Sequence, residues 1–177
     1  PYRTGNYPEG FEGVSVGSLN ELIEVAAESL DSESVNIRIT DPSMTVDDMN
    51  KALQQAGGSW ILCQLSSDAT AITFTPVGAS SRAESLEMLE ETDKLAQEIV
   101  DDLITDGMTE LEKAEALYTY LTENVAYDHR YYSDFSSMPY ESQTAYGALH
   151  DNLAICGGYA QTYQLLLQKA GITCYTV

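Results

Sequence analysis

Apolar and polar positions change period several times in the first half of the chain. Residues 19–30 carry apolar side chains at helical spacing, and the capping pair Ser18 and Glu21 marks the start of this helix. Residues 35–39 alternate between apolar and polar side chains, as a half-buried strand does. A second helix is indicated over 46–56, followed by strands over 60–65 and 71–75. This α-β-α-β-β order predicts a small α+β unit over residues 1–78, with a Gly-Ala-Ser-Ser linker after it.

Helical spacing dominates the second half. It predicts one long helix over residues 82–105 and another behind the capping pair Thr109 and Glu112. Residues 127–142 are polar, aromatic and without a period, and a short helix is expected over 144–149. Another amphipathic helix is expected over 156–170, and a strand from Ile172 to Val177. The pattern therefore predicts an α+β protein whose second domain, residues 82–177, is mostly helical.

The charge balance excludes some classes of partner. The chain has 28 acidic and 8 basic residues, which gives a formal net charge of −20. Such a surface disfavours both a nucleic-acid backbone and an anionic membrane. No apolar run approaches the roughly 20 residues that a membrane-spanning helix needs. The acidity suits a basic partner, such as a cationic cell-wall matrix, or else it serves only to keep the domain soluble.

The cysteines do not form a metal-binding pattern. There are three, Cys63, Cys156 and Cys174, and the chain contains only two histidines. A structural zinc site needs four clustered ligands, so we expect no metal and no cofactor. Cys63 and Cys174 lie in apolar runs and are expected to be buried strand residues.

Cys156 has a different setting, in the run Ile-Cys-Gly-Gly-Tyr at the start of the predicted helix. The amide groups of a first helical turn carry partial positive charge, which stabilises a thiolate and lowers the pKa of a thiol. The glycines at 157 and 158 leave space for a substrate carbonyl. The context predicts a nucleophile; the alternative is a buried structural thiol.

The second half also resembles a known family. Its matching residues are Tyr127-Asp128, the run Ser-Gln-Thr-Ala-Tyr-Gly-Ala-Leu at 142–149, Cys-Gly-Gly-Tyr-Ala at 156–160 and Ala-Gly-Ile at 170–172. From residue 113 onwards the chain resembles the transglutaminase-like superfamily, specifically the bacterial branch of papain-like thiol enzymes. The resemblance implies a papain-like fold and a Cys-His-Asp triad, of which only Cys156 carries over. The family's His and Asp follow the strand that begins at Ile172, so we expect them beyond Val177 and expect this fragment alone to be inactive.

The resemblance also suggests residues that line the site. Because the family places a substrate or oxyanion contact shortly before its cysteine motif, we expect Gln143 and Tyr140 to serve there. Gly157 directly follows the cysteine, and we expect it to let a substrate carbonyl approach the backbone. The alternative for Gln143 and Tyr140 is a packing or capping role. His129 and His150 are expected to be solvated loop histidines and not a replacement base.

Ten of the 12 tyrosines lie at or after residue 118. Three occupy predicted helix faces and are expected in the core: Tyr118, Tyr159 and Tyr163. Three others in the irregular segment are expected to be exposed: Tyr131, Tyr132 and Tyr140. Exposed rings beside a cleft can stack on a peptide or a sugar; the alternative is a loop packed together by its own rings.

These observations support two hypotheses about function. The first is a cysteine acyl-transfer enzyme that hydrolyses or cross-links a peptide, protein or cell-wall amide through a thioester. The second is a non-catalytic binding or assembly module at the cell surface. The acidity, the absence of an initiator Met and the family's habits predict an extracellular or cell-surface bacterial location. We also expect a homodimer, or segment exchange, through the edge from Ile172 to Val177.

Overall fold

The computed structural model describes residues 7–79 and 81–174. The chain divides into two compact units, Pro1–Leu86 and Glu87–Val177. Helices and strands occur together, so the α+β fold class predicted from the sequence is confirmed. None of the helices in the described ranges is both long and apolar enough to cross a membrane.

A mixed sheet with two helices makes up the first unit. Its elements are β1 (Val14–Val16), α1 (Leu19–Glu28), β2 (Ser34–Ile39), α2 (Val46–Leu53), β3 (Ile61–Leu65) and β4 (Ala71–Pro76). Among the described residues the strand order is β1-β2-β4-β3, with β1 parallel to β2 and the other pairs antiparallel. The predicted α-β-α-β-β elements are all present. Strand β1 was missed because three residues are too few to show alternation.

Local signals account for most of these elements. The Ser18 hydroxyl accepts a hydrogen bond from the Glu21 amide at 3.2 Å, so the predicted cap of α1 is confirmed. Alternate residues of β3 and β4 are buried, which leaves the other face of this hairpin to solvent. Cys63 is buried in β3, as expected.

The second unit contains most of α3 (Arg82–Leu103), which begins in the first unit. Its other elements are α4 (Glu110–Asn124), β5 (Ala126–Tyr127), α5 (Arg130–Ser133), two 3-10 helices (Phe135–Ser137 and Tyr140–Gln143), α6 (Ala145–His150), β6 (Leu153–Ala154) and α7 (Cys156–Lys169). Thr109 and Glu112 form the predicted capping box of α4. The parallel pair β5–β6 lies partly within the segment expected to be irregular, so the sequence did not reveal it.

Helix α7 is fixed against α4. Both helices contribute to one buried apolar cluster, Leu117 from α4 and Leu166 from α7 among them. The Tyr163 hydroxyl donates a hydrogen bond to the Ala114 carbonyl at 3.0 Å. The Tyr159 hydroxyl donates another to the Val125 carbonyl, just after α4. Because these bonds lie along its length, α7 presents its first residue in a defined position.

The strand expected from Ile172 to Val177 is not found where it can be assessed. Residues 172–174 form no strand, and residues 175–177 lie outside the described ranges. The Ile172 amide bonds to the Leu167 carbonyl at 2.9 Å, and the Gln168 side-chain amide bonds to the Cys174 carbonyl at 3.1 Å. The chain therefore folds back onto the end of α7, and Cys174 is half-buried outside any strand.

Two expectations for tyrosines were also wrong. Tyr118 is 59% exposed, because it lies one position beyond the buried Leu117 and points away from the core. Tyr140 is half-buried at the start of its 3-10 helix, where it was expected to be exposed. Tyr159 and Tyr163 pack at the edge of the core, and Tyr131 and Tyr132 are exposed, as expected.

Candidate active site

Cys156 is the first residue of α7, and its side chain is exposed. The preceding Ile155 has an extended conformation, and its carbonyl accepts the Tyr159 amide at 3.0 Å, which closes the first turn. The amides of that turn point out of the helix end, where the helix dipole is positive. The predicted helix start at Cys156 is confirmed.

The first turn of α7 packs closely on the backbone of residues 142–144. The Ile155 amide donates to the Ser142 carbonyl at 2.8 Å. A methyl group added at Gly158 would lie 2.9 Å from three atoms: the Ala154 Cβ and the carbonyl oxygens of Ser142 and Thr144. The sequence interpretation assigned this glycine to substrate access. The structure gives it a packing role, since only glycine allows this close approach.

Gly157 is less restricted than its neighbour. A methyl group there would lie 3.6 Å from the Gln143 carbonyl oxygen, which is ordinary van der Waals contact. The backbone of Gln143 therefore faces the turn that carries Cys156. Gln143 ends the 3-10 helix that Tyr140 begins, and burial raises the pKa of the Tyr140 phenol. The roles of these three residues toward a substrate stay predictions.

Tyr127 lies near Cys156, although no role in the site was predicted for it from the sequence. The register of β5 and β6 pairs Tyr127 with Ala154, two residues before the cysteine. Chiefly a hydrogen bond with the Tyr132 hydroxyl, 3.4 Å away, raises the pKa of Tyr127 to about 12. Negative charge on Cys156 raises this pKa further, whereas a hydrogen bond from the Cys156 backbone lowers it. The phenol is thus protonated at neutral pH and lies near the backbone of Cys156.

The buried side chain of Asp128 holds the end of β5 in place through hydrogen bonds. Its side chain is 2% exposed, and its two carboxylate oxygens accept from the Arg130 Nε at 2.9 Å and Nη2 at 2.8 Å. The Ser142 hydroxyl donates a third bond at 2.7 Å. These contacts, the Arg130 hydrogen bond foremost, lower the pKa of Asp128 to about 2. The carboxylate therefore ties β5 to the segment that contacts the first turn of α7.

Comparison with known protein families finds a match for this part of the chain. Residues 95–177 match the family model described as the transglutaminase-like superfamily. This part of the chain is a transglutaminase-like domain. The match begins in α3, which is earlier than residue 113, where the sequence resemblance starts. No curated protein matches the chain.

The two histidines of the transglutaminase-like domain have different surroundings. His150 stacks on Tyr146 with ring centroids 4.7 Å apart, and its Nδ1 lies 2.8 Å from the Asp151 carboxylate. That hydrogen bond is the main cause that raises the pKa of His150. The His129 ring lies 5.6 Å from the Tyr127 ring. Within residues 7–79 and 81–174, neither histidine forms a hydrogen bond with Cys156.

The part of the domain that the structure describes contains no group of three or more His, Cys, Asp or Glu side chains placed to hold a metal ion. At the start of α7 the described residues place one exposed thiol and the amides of a helix N-terminus, with the Tyr127 phenol near them. The Tyr-Asp pair at 127–128 is part of the family resemblance in the sequence. That resemblance is the signal from which Tyr127 could have been predicted as a site residue.

Proposed function

We propose that the transglutaminase-like domain takes part in cysteine acyl transfer, with Cys156 as the nucleophile. The observation that carries this proposal is the exposed thiol at the first residue of α7, next to the Tyr127 phenol. The thiolate sulfur attacks the carbonyl carbon of an amide, and the C–N bond breaks. The amine leaves with the proton that a general base took from the thiol, and the acyl group stays on sulfur as a thioester. Water then yields an acid, or a second amine yields a new amide, and the thiol is restored.

The surroundings of Cys156 support the first step. The helix dipole stabilises the thiolate, and donors at the helix end stabilise the oxyanion that forms on the substrate carbonyl. The Gly157 amide and the Tyr127 hydroxyl are the donors we assign to that oxyanion. Gln143 and Tyr140 would contact the substrate from the neighbouring 3-10 helix. A peptide, protein or cell-wall amide is the proposed substrate, in keeping with an extracellular or cell-surface location.

A second candidate function is a non-catalytic binding or assembly module on the same scaffold. It is favoured by the histidines, because neither His129 nor His150 bonds to Cys156 among the described residues. Acyl transfer requires a base that accepts the thiol proton and returns it to the leaving amine.

Acylation by an activated donor separates these functions. The protein is incubated with p-nitrophenyl acetate, and acetyl groups are located by mass spectrometry after digestion. We expect one acetyl thioester on Cys156, lost in Cys156→Ser and retained when Cys63 and Cys174 are both replaced by Ala. Faster removal of the acetyl group by an added alkylamine than by water would indicate transfer and not hydrolysis. Equal acetylation of all three cysteines, or none, would overturn the enzymatic proposal and leave the binding module.

A further inference from the structure

Three large rings lie next to one another on the surface beside the thiol. Tyr131, Tyr132 and Phe135 are 40%, 74% and 60% exposed, and we call them the ring surface. The Tyr131 ring contacts the other two edge to face, with centroids 5.0 Å from Tyr132 and 5.8 Å from Phe135. Contiguous exposed apolar side chains of this kind mark interaction sites.

The ring surface is continuous with the candidate active site. The Tyr132 ring stacks on Tyr127 at 5.9 Å, and the hydroxyls of these two residues are 3.4 Å apart. Tyr127 in turn pairs with Ala154 in the β5–β6 ladder, two residues before Cys156. A row of rings therefore runs from the thiol through Tyr127 and Tyr132 toward Phe135.

The backbone holds this row in place. The Tyr131 amide bonds to the carbonyl of the buried Asp128 at 3.2 Å, and the Tyr132 amide bonds to the His129 carbonyl at 3.0 Å. Phe135 opens the next 3-10 helix, and its carbonyl accepts the amide of the buried Met138 at 3.2 Å. Because the rings are held at both ends of the segment, they form a preorganised surface.

Polar side chains around the rings are engaged within the segment itself. The Ser133 hydroxyl bonds to the His129 carbonyl at 3.1 Å, and the Ser136 hydroxyl bonds to the Asp134 carboxylate at 2.7 Å. The Arg130 guanidinium is held by Asp128. A sugar needs hydrogen-bonding groups for its hydroxyls, and an anion needs an available cation. Contact with the faces and edges of the rings is therefore the main interaction that this surface offers, with the hydroxyl groups of Tyr131 and Tyr132 at its border.

We propose that the ring surface is a substrate subsite that binds an aromatic or large aliphatic side chain of a peptide whose amide lies at Cys156. This inference rests on the proposed function of Cys156. Each residue of an extended peptide spans about 3.3–3.6 Å. A side chain one or two residues from the reacting amide therefore passes Tyr127 and reaches Tyr132.

Alkylating peptides test the subsite without requiring turnover. Three chloroacetyl dipeptide amides, ending in Gly-Phe, Gly-Gly and Gly-Lys, are reacted with Cys156 below saturation, and the second-order rates are measured by intact mass. We expect the Phe probe to react about tenfold faster than the Gly probe, which corresponds to partial burial of one phenyl ring. Iodoacetamide, which has no side chain to bind, reports the reactivity of the thiol itself.

Variants test whether the ring surface causes the faster reaction of the Phe probe. Replacing both Tyr132 and Phe135 by Ala should bring the Phe-to-Gly rate ratio close to one. Because the Tyr132 hydroxyl bonds to Tyr127, the iodoacetamide rate of the same variant is measured alongside to report any change in the thiol itself. Tyr118→Ala removes another exposed tyrosine, from α4, and should leave the ratio as in the wild type.

Several outcomes would overturn the inference. One is a Phe-to-Gly ratio near one in the wild type, and another is a ratio that the double variant keeps. If the Lys probe reacted faster than the Phe and Gly probes, the surface would prefer a cationic ligand instead. Protection of Cys156 by chitotriose, without preference among the peptides, would point to a glycan. If the Phe preference holds while p-nitrophenyl acetate fails to acylate Cys156, the subsite stands and the proposed acyl transfer fails.

Discussion

The close packing around Gly158, in the first turn of α7, predicts that Gly158→Ala destabilises the transglutaminase-like domain. The added methyl group would lie 2.9 Å from two carbonyl oxygens and from the Ala154 Cβ. None of these atoms is the end of a flexible side chain, so the first turn of α7 or the backbone of residues 142–144 must shift. Overpacking of this kind costs about 1–3 kcal/mol. Alanine is the better helix former by up to about 1 kcal/mol. We therefore expect a net loss of about 1–2 kcal/mol in the free energy of unfolding.

Gly157→Ala is the matched control for this prediction. It makes the same chemical change one residue earlier in the same turn, where the methyl group would have only an ordinary 3.6 Å contact. Since no atom must move, helix propensity should dominate. We expect unchanged stability or a gain of up to about 1 kcal/mol.

Urea unfolding followed by the near-ultraviolet circular dichroism of tyrosine measures the difference. Ten of the 12 tyrosines lie at or after residue 118, so this signal reports mainly on the domain that carries Cys156. Fluorescence of Trp60, the only tryptophan, reports on the first unit. If Gly158→Ala is as stable as Gly157→Ala, the close approach is not a constraint and the reasoning from packing is refuted.

Three further predictions concern titratable groups. Asp128→Asn should lower the free energy of unfolding by about 1–3 kcal/mol at neutral pH, less than for a wholly buried pair because its Arg partner is 39% exposed. The pKa of Asp128 is about 2 in the folded chain and about 4 unfolded, so its stabilising contribution is present above about pH 4 and is lost as the pH falls toward 2. The difference between wild type and variant in urea unfolding should shrink over that range; a constant difference would contradict the assignment. With limiting iodoacetamide, the exposed Cys156 should be labelled before Cys63, because Cys63 is 8% exposed and burial raises its pKa to about 11; equal labelling in a peptide map would contradict this. Asp151→Asn should lower the pKa of His150 toward 6.5 in an NMR titration and leave the alkylation rate of Cys156 unchanged, and a slower rate would place His150 in the site.

Local chemistry in the sequence was enough to place the helix that carries the thiol. A capping pair marks the start of α4, and apolar spacing marks α7 with Cys156 at its first position. Both signals act within one or two helical turns, so they can be read without knowing the tertiary structure. The family resemblance added the order of the elements around the cysteine.

What the sequence did not reveal depends on contacts between distant segments. The β5–β6 pair has two residues in each strand, which is too short for any periodicity. Gly158 looked like an access residue because its crowding comes from carbonyls 14 and 16 residues earlier, those of Thr144 and Ser142. Tyr118 looked like a core residue because helical spacing alone gives only an approximate boundary to the apolar face of α4.

The Tyr-Asp pair connects these contacts to the proposed chemistry. Two residues per strand supply few hydrogen bonds, and so short a pair is only marginally stable by itself. The Asp128 carboxylate accepts hydrogen bonds from Arg130 and Ser142. The backbone amide of Asp128 donates a hydrogen bond to the Ala154 carbonyl at 3.0 Å. Because Tyr127 immediately precedes Asp128, the same contacts fix the phenol at the thiol. The position of the phenol near Cys156 therefore depends on a buried carboxylate as well as on the strand pair, and loss of that carboxylate should disturb the site as well as the fold.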